Sequence, residues 1–403
     1  MLTQELLASA RGLSDDIVSL RRAIHKEPEL GLETPKTLAK VRAALDGLPL
    51  SWREGPSCTG AIATLEGKGT GPGAHRRVLL RGDMDALPMD EKTNLEFAST
   101  IPGRMHACGH DTHTAMLAGA AQLLCAQQDS FVGTVDFMFQ PGEEGYHGAR
   151  FMLDDGLIDP LPDAAFALHI MPNAPFGVLG GRAGPLLAAA DEFNITVKGR
   201  GGHASMPHDC LDPVPGAAAI VGAIQAMVTR RFKSTDPVVV TVTQIHAGTA
   251  HNVIADEVLL GGTIRTLSAQ HRNKVHSLIE ETAKRTAEAY GLEAECELTL
   301  GFPVTICDER AVQLGCKVTR QLGGDEAWRD MPDPIMGAED FSYILQKVPG
   351  AMFFLGVAGE GEDWTQCCAI HSSRMHVDEN ALPRGTAILA GCALEFLAEG
   401  FAE

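Results

Sequence analysis

The stretch that decides the fold is Val78-Leu79-Leu80-Arg81-Gly82-Asp83-Met84-Asp85, a short apolar run that ends in two aspartates. A continuous apolar run of this length is typical of a buried strand. The pattern recurs at 135–144, where the run ends in Gln-Pro-Gly-Glu-Glu, and at 164–169, where it ends in a histidine. A helical pattern at 115–127 separates the first two runs. Strands that alternate with helices predict an α/β fold with helices on both faces of a sheet.

The hydrophobic pattern changes after residue 187, where apolar and polar residues alternate as in a half-exposed strand. The patterns predict, in order, a strand at 193–197, a helix at 215–230, strands at 238–245 and 258–266, a helix at 268–290 and a strand at 296–300. This β-α-β-β-α-β order is typical of an antiparallel sheet with two helices on one face. We therefore predict a ferredoxin-like α+β domain at 187–298, inserted into a first domain made of 1–186 and 299–403.

The composition agrees with two folded domains and excludes some partners. The chain has 403 residues, of which 45% are apolar, and this is too long for one ordinary core. The formal net charge of −19 disfavours nucleic acid and anionic membranes as partners. We find no apolar run of about 18 residues and no signal-peptide pattern. Because the ten cysteines are thinly spread, we expect a cytoplasmic protein with free thiols.

Side chains that bind metals follow the predicted strands or open helices. They are Asp83, Asp85, the segment His106-Ala107-Cys108-Gly109-His110-Asp111-Thr112-His113, Glu143, Glu144, His169 and His371. Because ligands bind beyond the carboxyl ends of strands in open α/β sheets, we expect these side chains to converge. Imidazole and thiolate suit zinc, and carboxylates extend the choice to manganese.

Two interpretations of the histidine-rich segment remain open from the residues alone. His106 and His110 are four apart and would share a helix face, whereas Cys108 and His110 would bind from a tight turn before the helix begins. At Glu143-Glu144, neighbouring side chains point in different directions, so one carboxylate can bind metal while the other acts as a base.

The inserted domain has candidates of its own. His203 lies in a glycine-rich turn after a predicted strand, and Asn252 lies in a turn between strands. Arg265 lies within a predicted strand, and arginine is the natural bidentate partner for a carboxylate.

Six ordered motifs carry a resemblance to a known family. They are RGDMDALP (81–88), MHACGHDTH (105–113), QPGEEG (140–145), HIMP (169–172), GHAS (202–205) and GAEDF (337–341). Together they resemble the M20 metallopeptidases, specifically the amidohydrolase branch that contains hippurate hydrolases, N-acyl-amino-acid amidohydrolases and plant auxin-conjugate hydrolases. The resemblance covers nearly the whole chain.

The resemblance implies a zinc-peptidase-like, mixed-sheet catalytic domain with an inserted lid or dimerisation domain and two divalent metal ions. Zinc and manganese are the first candidates for the ions, and cobalt and nickel are alternatives. The implied ligands are Cys108, His110, Glu144, His169 and His371. This set favours Cys108 over His106, and Cys108 would bridge the ions.

The resemblance also implies roles around the ligands. Glu143 would be the general base, Asp85 would orient a ligand histidine, and His203 would reach the site from the lid, across a dimer interface in many members. Substrate contacts are predicted for three residues: His113, Asn252 and Arg265.

The predicted activity is hydrolysis of N-acyl-L-amino acids to a carboxylic acid and an amino acid. The predicted partners are this small-molecule substrate and a second copy of the chain, with no nucleic acid and no membrane. The alternatives are a dipeptidase or carboxypeptidase of the same fold and a catalytically silent metal-binding protein. A thiol-redox role for Cys367-Cys368 is disfavoured because the spacing is not Cys-x-x-Cys.

Overall fold

The computed structural model describes residues 2–70 and 75–402 and divides the chain into two compact units. The first unit comprises Met1–Leu186, Ile306–Asp333 and Asp340–Glu403, and the second comprises Leu187–Thr305 and Pro334–Glu339. The second unit therefore extends beyond the predicted boundary at residue 298. The backbone hydrogen bonds of this unit explain the difference, because Ala190 N–H donates to the carbonyl of Phe302 and Ala188 N–H to that of Gly337.

Sixteen strands occur within the described residues. They are β1 Ser51–Glu54, β2 Ala61–Glu66, β3 Arg77–Asp83, β4 Thr134–Gln140, β5 Ala164–Met171, β6 Leu179–Gly181, β7 Gly184–Leu187, β8 Ala189–Lys198, β9 Gly202–His203, β10 Val238–Ala247, β11 Val253–Ile254, β12 Glu257–Thr266, β13 Glu293–Leu300, β14 Thr305–Cys307, β15 Trp328–Asp330 and β16 Gly350–Gly356.

Ten α-helices occur in the same described ranges. They are α1 Leu2–Gly12, α2 Ser14–Lys26, α3 Pro35–Ala44, α4 His110–Ala126, α5 Gly148–Asp154, α6 Pro213–Arg231, α7 Ala269–Ala289, α8 Glu309–Gly323, α9 Ser342–Leu345 and α10 Leu382–Glu399.

The first unit is built on one mixed sheet with the strand order β1-β2-β4-β3-β5-β16-β6-β15. Strand β3 is parallel to both β4 and β5, whereas β1, β2 and β4 pair antiparallel. The sheet confirms the predicted mixed α/β fold. Strands β3, β4 and β5 are buried along almost their whole length, because helices cover a sheet of this kind. Their carboxyl ends lie side by side at one edge.

No apolar run of membrane-spanning length was expected from the sequence, but the segment that forms helix α10 reaches that length. Among the described residues, the segment Glu379–Glu399 alone is long and apolar enough to cross a membrane by length and composition. However, 83% of its apolar window is buried inside the protein, where α10 packs against α4, α1 and α8. A core helix of a large unit has these properties.

The second unit has the predicted β-α-β-β-α-β order, formed by β8, α6, β10, β12, α7 and β13. Its sheet has the order β10-β12-β8-β13, and each neighbouring pair is antiparallel. The inward residues of β8 are Phe193, Ile195 and Val197, which pack with buried residues of α6 and α7. The alternating pattern that predicted a half-exposed strand is thus seen in the burial of β8.

Candidate metal centre

Three neighbouring strands bring the candidate ligands of the first unit together. Asp83 ends β3, the pair Glu143 and Glu144 follows β4, and His169 lies near the carboxyl end of β5. Because β3 is paired in parallel with both of the other strands, these side chains meet at one edge of the sheet.

A tight turn places Cys108 beside His110. Helix α4 begins at His110, and the preceding Gly109 has a φ of 85°, in the left-handed region that favours glycine. His106 therefore lies outside the helix, and the interpretation in which it shares a helix face with His110 is wrong. His106 belongs to none of the groups of possible metal ligands found among the described residues.

Two such groups share Cys108. One contains Cys108, His110 and His169, the other contains Cys108, Glu144 and His371, and the ligand atoms of each group lie within 4.8 Å of one another. Cys108 Sγ lies 3.3 Å from His169 Nε2, and His371 Nε2 lies 3.3 Å from Glu144 Oε1. Ligands about 2.0–2.3 Å from a tetrahedral zinc ion are separated by roughly 3.3–3.8 Å. The spacing therefore suits two ions that share one sulfur atom.

Buried polar atoms without hydrogen bonds support the same interpretation. Both ring nitrogens of His110 and Oε1 of Glu144 are buried and make no hydrogen bond within the described residues. Buried nitrogen and oxygen atoms are nearly always paired, because an unpaired one loses its hydration without compensation. Divalent ions would satisfy these atoms, and the mixed sulfur, nitrogen and oxygen set suits borderline transition metals.

Two histidines of the centre, His110 and His371, favour the protonated form, whereas burial holds the pKa of His169 well below its ordinary value. The close approach of Cys108 and Glu144 raises the pKa of His371 to about 10. Burial opposes protonation of His110, but the charges of Asp83 and Cys108 outweigh it and hold the pKa of His110 well above its ordinary value. A divalent ion would replace these protons, since ligand histidines must be neutral, so metal binding should release protons.

Asp85 organises the turn that carries the two glutamates. Its Oδ1 accepts the backbone N–H of Glu143 at 2.9 Å, and its Oδ2 accepts that of Glu144 at 3.1 Å. Asp85 Oδ1 also lies 3.5 Å from His110 Nδ1. One buried carboxylate thus lies against both a candidate ligand histidine and the backbone of the glutamate turn. The sequence predicted only the first of these contacts.

Glu143 lies at the margin of the ligand groups. Its side chain is nearly buried, and Oε2 is 4.0 Å from His110 Nε2. Glu143 belongs to neither group that shares Cys108. Glu143 does belong to another group of possible ligands, with His110 and Glu144, and its role as the general base remains a prediction.

The substrate contact predicted for His113 requires a correction. Its ring is buried, Nδ1 lies 2.6 Å from Asp83 Oδ1, and Nε2 accepts the backbone N–H of Ile170 at 2.9 Å. Both ring nitrogens are therefore occupied inside the protein, and neither is left for a substrate. His113 instead connects α4 to β3 and β5 beside His169.

A buried polar network beside the centre was missed by the sequence analysis. Arg81 forms ion pairs with Asp83 and Asp340 at 2.7 and 3.1 Å, and Gln140 donates to Asp340 at 2.7 Å. Asp340 also accepts the backbone N–H of Ala149 at 2.9 Å. The signal was an arginine within an otherwise apolar strand, because a buried guanidinium needs a carboxylate partner.

The three remaining predicted site residues lie in the second unit. His203 in β9 pairs with Val253 in β11, and Ala204 N–H donates to the carbonyl of Asn252 at 3.0 Å. His203 and Asn252 are therefore close neighbours. Arg265 lies in β12, separately from them. The roles assigned to these residues at the metal centre remain predictions.

We expect Gly109→Ala to disrupt the centre. A Cβ atom at this position would lie 2.5 Å from Cγ1 of Ile170, the residue after His169, and the backbone has a φ of 85°. The substitution should therefore displace both Cys108 and His169 and weaken metal binding by about tenfold or more. Chelator competition would measure the affinity.

Gly103→Ala is the matched control, since Gly103 has a φ of 70° and no atom within 4 Å of the added Cβ. This variant carries the backbone strain without the collision. Equal metal affinity in the two variants would contradict the expected effect of the Ile170 contact.

Known proteins resemble this chain along nearly its whole length. IAA-amino acid hydrolase ILR1-like 2 of Arabidopsis thaliana is 37% identical over 389 residues, 96% of this chain and 86% of that protein. Thermostable carboxypeptidase 1 of Saccharolobus solfataricus is 37% identical over 402 residues, 98% of this chain and 99% of that protein. The YxeP protein of Bacillus subtilis, described as a dinuclear metal binding peptidase, superposes with a TM-score of 0.82 at 32% identity over 96% of this chain and 99% of that one.

The sequence profile of the peptidase family M20/M25/M40 matches residues 79–395. This range contains each predicted ligand and begins within β3, so the elements before β3 lie outside it. The protein is accordingly a metal-dependent amidohydrolase, and the chain belongs to peptidase family M20/M25/M40.

Proposed function

We propose that this enzyme hydrolyses the amide bond of N-acyl-L-amino acids at a centre of two divalent ions, held by Cys108, His110, Glu144, His169 and His371. The observation that carries the proposal is the sharing of Cys108 between two ligand groups, with Glu143 beside them. The Arabidopsis relative, named as a hydrolase of IAA-amino acids, supports an amino acid joined to another group as the substrate.

When held by Cys108, His110, Glu144, His169 and His371, two divalent ions would lower the pKa of a bound water towards neutrality and polarise the amide carbonyl. Glu143 accepts the proton of the attacking water and then delivers it to the leaving amine. Asp85 holds the backbone of Glu143 and so fixes the direction of this carboxylate. The products are a carboxylic acid and a free amino acid.

His203 has the tautomer that an oxyanion donor requires. The backbone N–H of Ser205 points to His203 Nδ1 at 3.2 Å, and Ser205 Oγ lies 2.8 Å from the same atom. Because a backbone N–H can only donate, Nδ1 of the neutral ring is the acceptor and Nε2 carries the proton. In our proposal this Nε2–H stabilises the oxyanion of the tetrahedral intermediate.

Arg265 is proposed to bind the substrate carboxylate. Its guanidinium donates to the carbonyl of Ile264 at 3.0 Å, and no ion pair to it is found within the described residues. We expect Arg265→Ala to raise KM for N-acyl amino acids by about tenfold or more with a smaller change in kcat, because a charge-assisted hydrogen bond is lost. Steady-state kinetics would measure both constants.

Arg285→Ala is a suitable control for this variant, because Arg285 is exposed on α7 and its ion pair within the described residues is with Glu281 on the same helix. A changed melting temperature with an unchanged KM in Arg265→Ala would give Arg265 a purely structural role.

A substrate screen tests the proposed activity. The enzyme, loaded in turn with Zn²⁺, Mn²⁺, Co²⁺ or Ni²⁺, would be assayed with N-acetyl, N-benzoyl and indole-acyl amino acids and with dipeptides. We expect higher kcat/KM for the acyl amino acids. Faster cleavage of dipeptides would favour the peptidase alternative, which the carboxypeptidase relative supports, and absence of turnover on every substrate would contradict both.

We further propose that the enzyme is a dimer and that His203 acts in the partner's site. Glu143→Ala and His203→Ala variants would then be inactive separately, whereas mixing them would restore part of the activity. No recovery in a mixture that exchanges subunits would show that His203 acts within its own chain.

A further inference from the structure

Helix α2 supplies none of the candidate ligands, but two of its buried side chains contact the connections that do. Arg21 and His25 are one turn apart on α2 and are 2% and 1% exposed. Burial of charge at this level is rare unless each charge has a partner. Both residues have carboxylate partners that lie far away in sequence.

The shared partner is Asp111, the residue that follows His110 in the first turn of α4. Asp111 Oδ2 accepts a hydrogen bond from Arg21 Nε at 2.7 Å and lies 2.8 Å from His25 Nδ1. Asp111 is fully buried. The two α2 side chains therefore hold the start of α4 directly beside a metal ligand.

A second carboxylate, that of Glu91, connects α2 to the segment between β3 and α4. His25 Nε2 lies 3.2 Å from Glu91 Oε1, and Glu91 Oε2 accepts the backbone N–H of Ser99 at 2.7 Å. The segment that contains Glu91 also contains Asp85 and Cys108.

A third carboxylate, that of Glu379, connects α2 to the segment between β16 and α10. Arg21 Nη1 donates to Glu379 Oε1 at 2.9 Å, and the neighbouring Arg22 donates to both carboxylate oxygens through Nε at 3.1 and 3.0 Å. His371 lies in the same segment. Both connections contacted by α2, and the start of α4, therefore carry a candidate ligand.

We propose that Arg21 and His25 are positioning residues of the metal centre, which hold the ligand-bearing connections in register by binding the carboxylates of Asp111, Glu91 and Glu379. The ligands come from separate parts of the chain. The sheet alone fixes the positions of His169, on β5, and Glu144, directly after β4. Cys108, His110 and His371 lie on connections or at a helix start, where a common anchor is needed.

The test compares Arg21→Met, which keeps the length of the side chain, with Arg21→Lys, which keeps the charge but not the planar fork. We expect Arg21→Met to lower Zn²⁺ affinity in chelator competition by about 10–100-fold, the range for residues that orient ligands. We also expect an altered absorption spectrum of the Co²⁺-loaded protein, a lower kcat and little change in KM. Arg21→Lys should recover part of each loss.

Arg77→Met is the matched control. Arg77 pairs with the buried Asp136 at 2.6 Å, but it lies at the amino end of β3, opposite to the edge that carries the ligands. This variant should lower the melting temperature and leave the Zn²⁺ affinity and the Co²⁺ spectrum unchanged.

The proposal is overturned if Arg21→Met, like the control, loses only thermal stability. If Arg21→Met does not fold, Arg21→Lys decides: a lower melting temperature together with the wild-type Co²⁺ spectrum and Zn²⁺ affinity overturns the proposal.

Discussion

Glu143→Gln should lower kcat by about 10²–10⁴-fold, the usual contribution of a positioned acid–base group, and should keep the metal content of the wild type. The amide has nearly the shape of the carboxylate, and Asp85 binds the backbone of residue 143, so the turn should keep its conformation. Turnover and metal content by elemental analysis are the two measurements.

The neighbouring Glu144 provides a matched control. Glu144 Oε1 belongs to a ligand group with Cys108 and His371, so Glu144→Gln should lose metal as well as activity. Near-wild-type turnover in Glu143→Gln would contradict the role of Glu143 as the base. Equal metal loss in both variants would mean that both side chains are ligands.

Cys108→Ala should abolish the binding of both ions. Its sulfur belongs to both ligand groups, so its removal leaves each group with only two ligand atoms. We expect the affinity for Zn²⁺ to fall by at least about 100-fold, more than for the loss of an orienting residue. The stabilisation by added Zn²⁺ in thermal unfolding should then disappear, since ligand stabilisation requires binding to the folded state.

Cys392→Ala separates the loss of the ligand from the loss of a buried thiol. Cys392 is 1% exposed in α10 and belongs to no ligand group among the described residues. This variant should lower the melting temperature slightly and keep its response to Zn²⁺. If Cys108→Ala retained one tightly bound ion, the sharing of Cys108 would be disproved.

Much of the fold followed from hydrophobic patterns, because the decisive strands are either fully buried or regularly half-buried. β3, β4 and β5 are mostly apolar and buried along almost their whole length, and β8 alternates strictly between buried and more exposed residues. The start of α4 could not be predicted in this way. Its first turn, His110 to His113, is polar in sequence but fully buried, since these side chains face one another and the neighbouring strands.

Residue types and strand ends predicted that Cys108, Glu144 and His169 would gather at one site, and the structure places them in groups of possible ligands. Their role as metal ligands comes from the family resemblance and stays a prediction. The candidate site was predictable to this extent. It was not predictable where the role depends on a distant partner. The pairing of Arg21 with Asp111 joins residues 90 positions apart, and that of Arg81 with Asp340 joins residues 259 apart. No local pattern encodes such contacts. The prediction for His113 needed correction for the same reason, because its ring contacts Asp83 and Ile170, which are distant in sequence.

The hydrogen bond between Ala190 and Phe302 has a consequence for the order of folding. It joins the two ends of the main segment of the second unit, so this segment enters and leaves at almost one point. Once that segment has folded, the rest of the chain no longer has to close a loop as long as Leu187–Thr305. The entropic cost of closing a loop grows with the logarithm of its length. Folding of the segment first lowers the free-energy cost of closing the loop by about 3 kcal/mol. Early folding of the second unit should therefore accelerate assembly of the first.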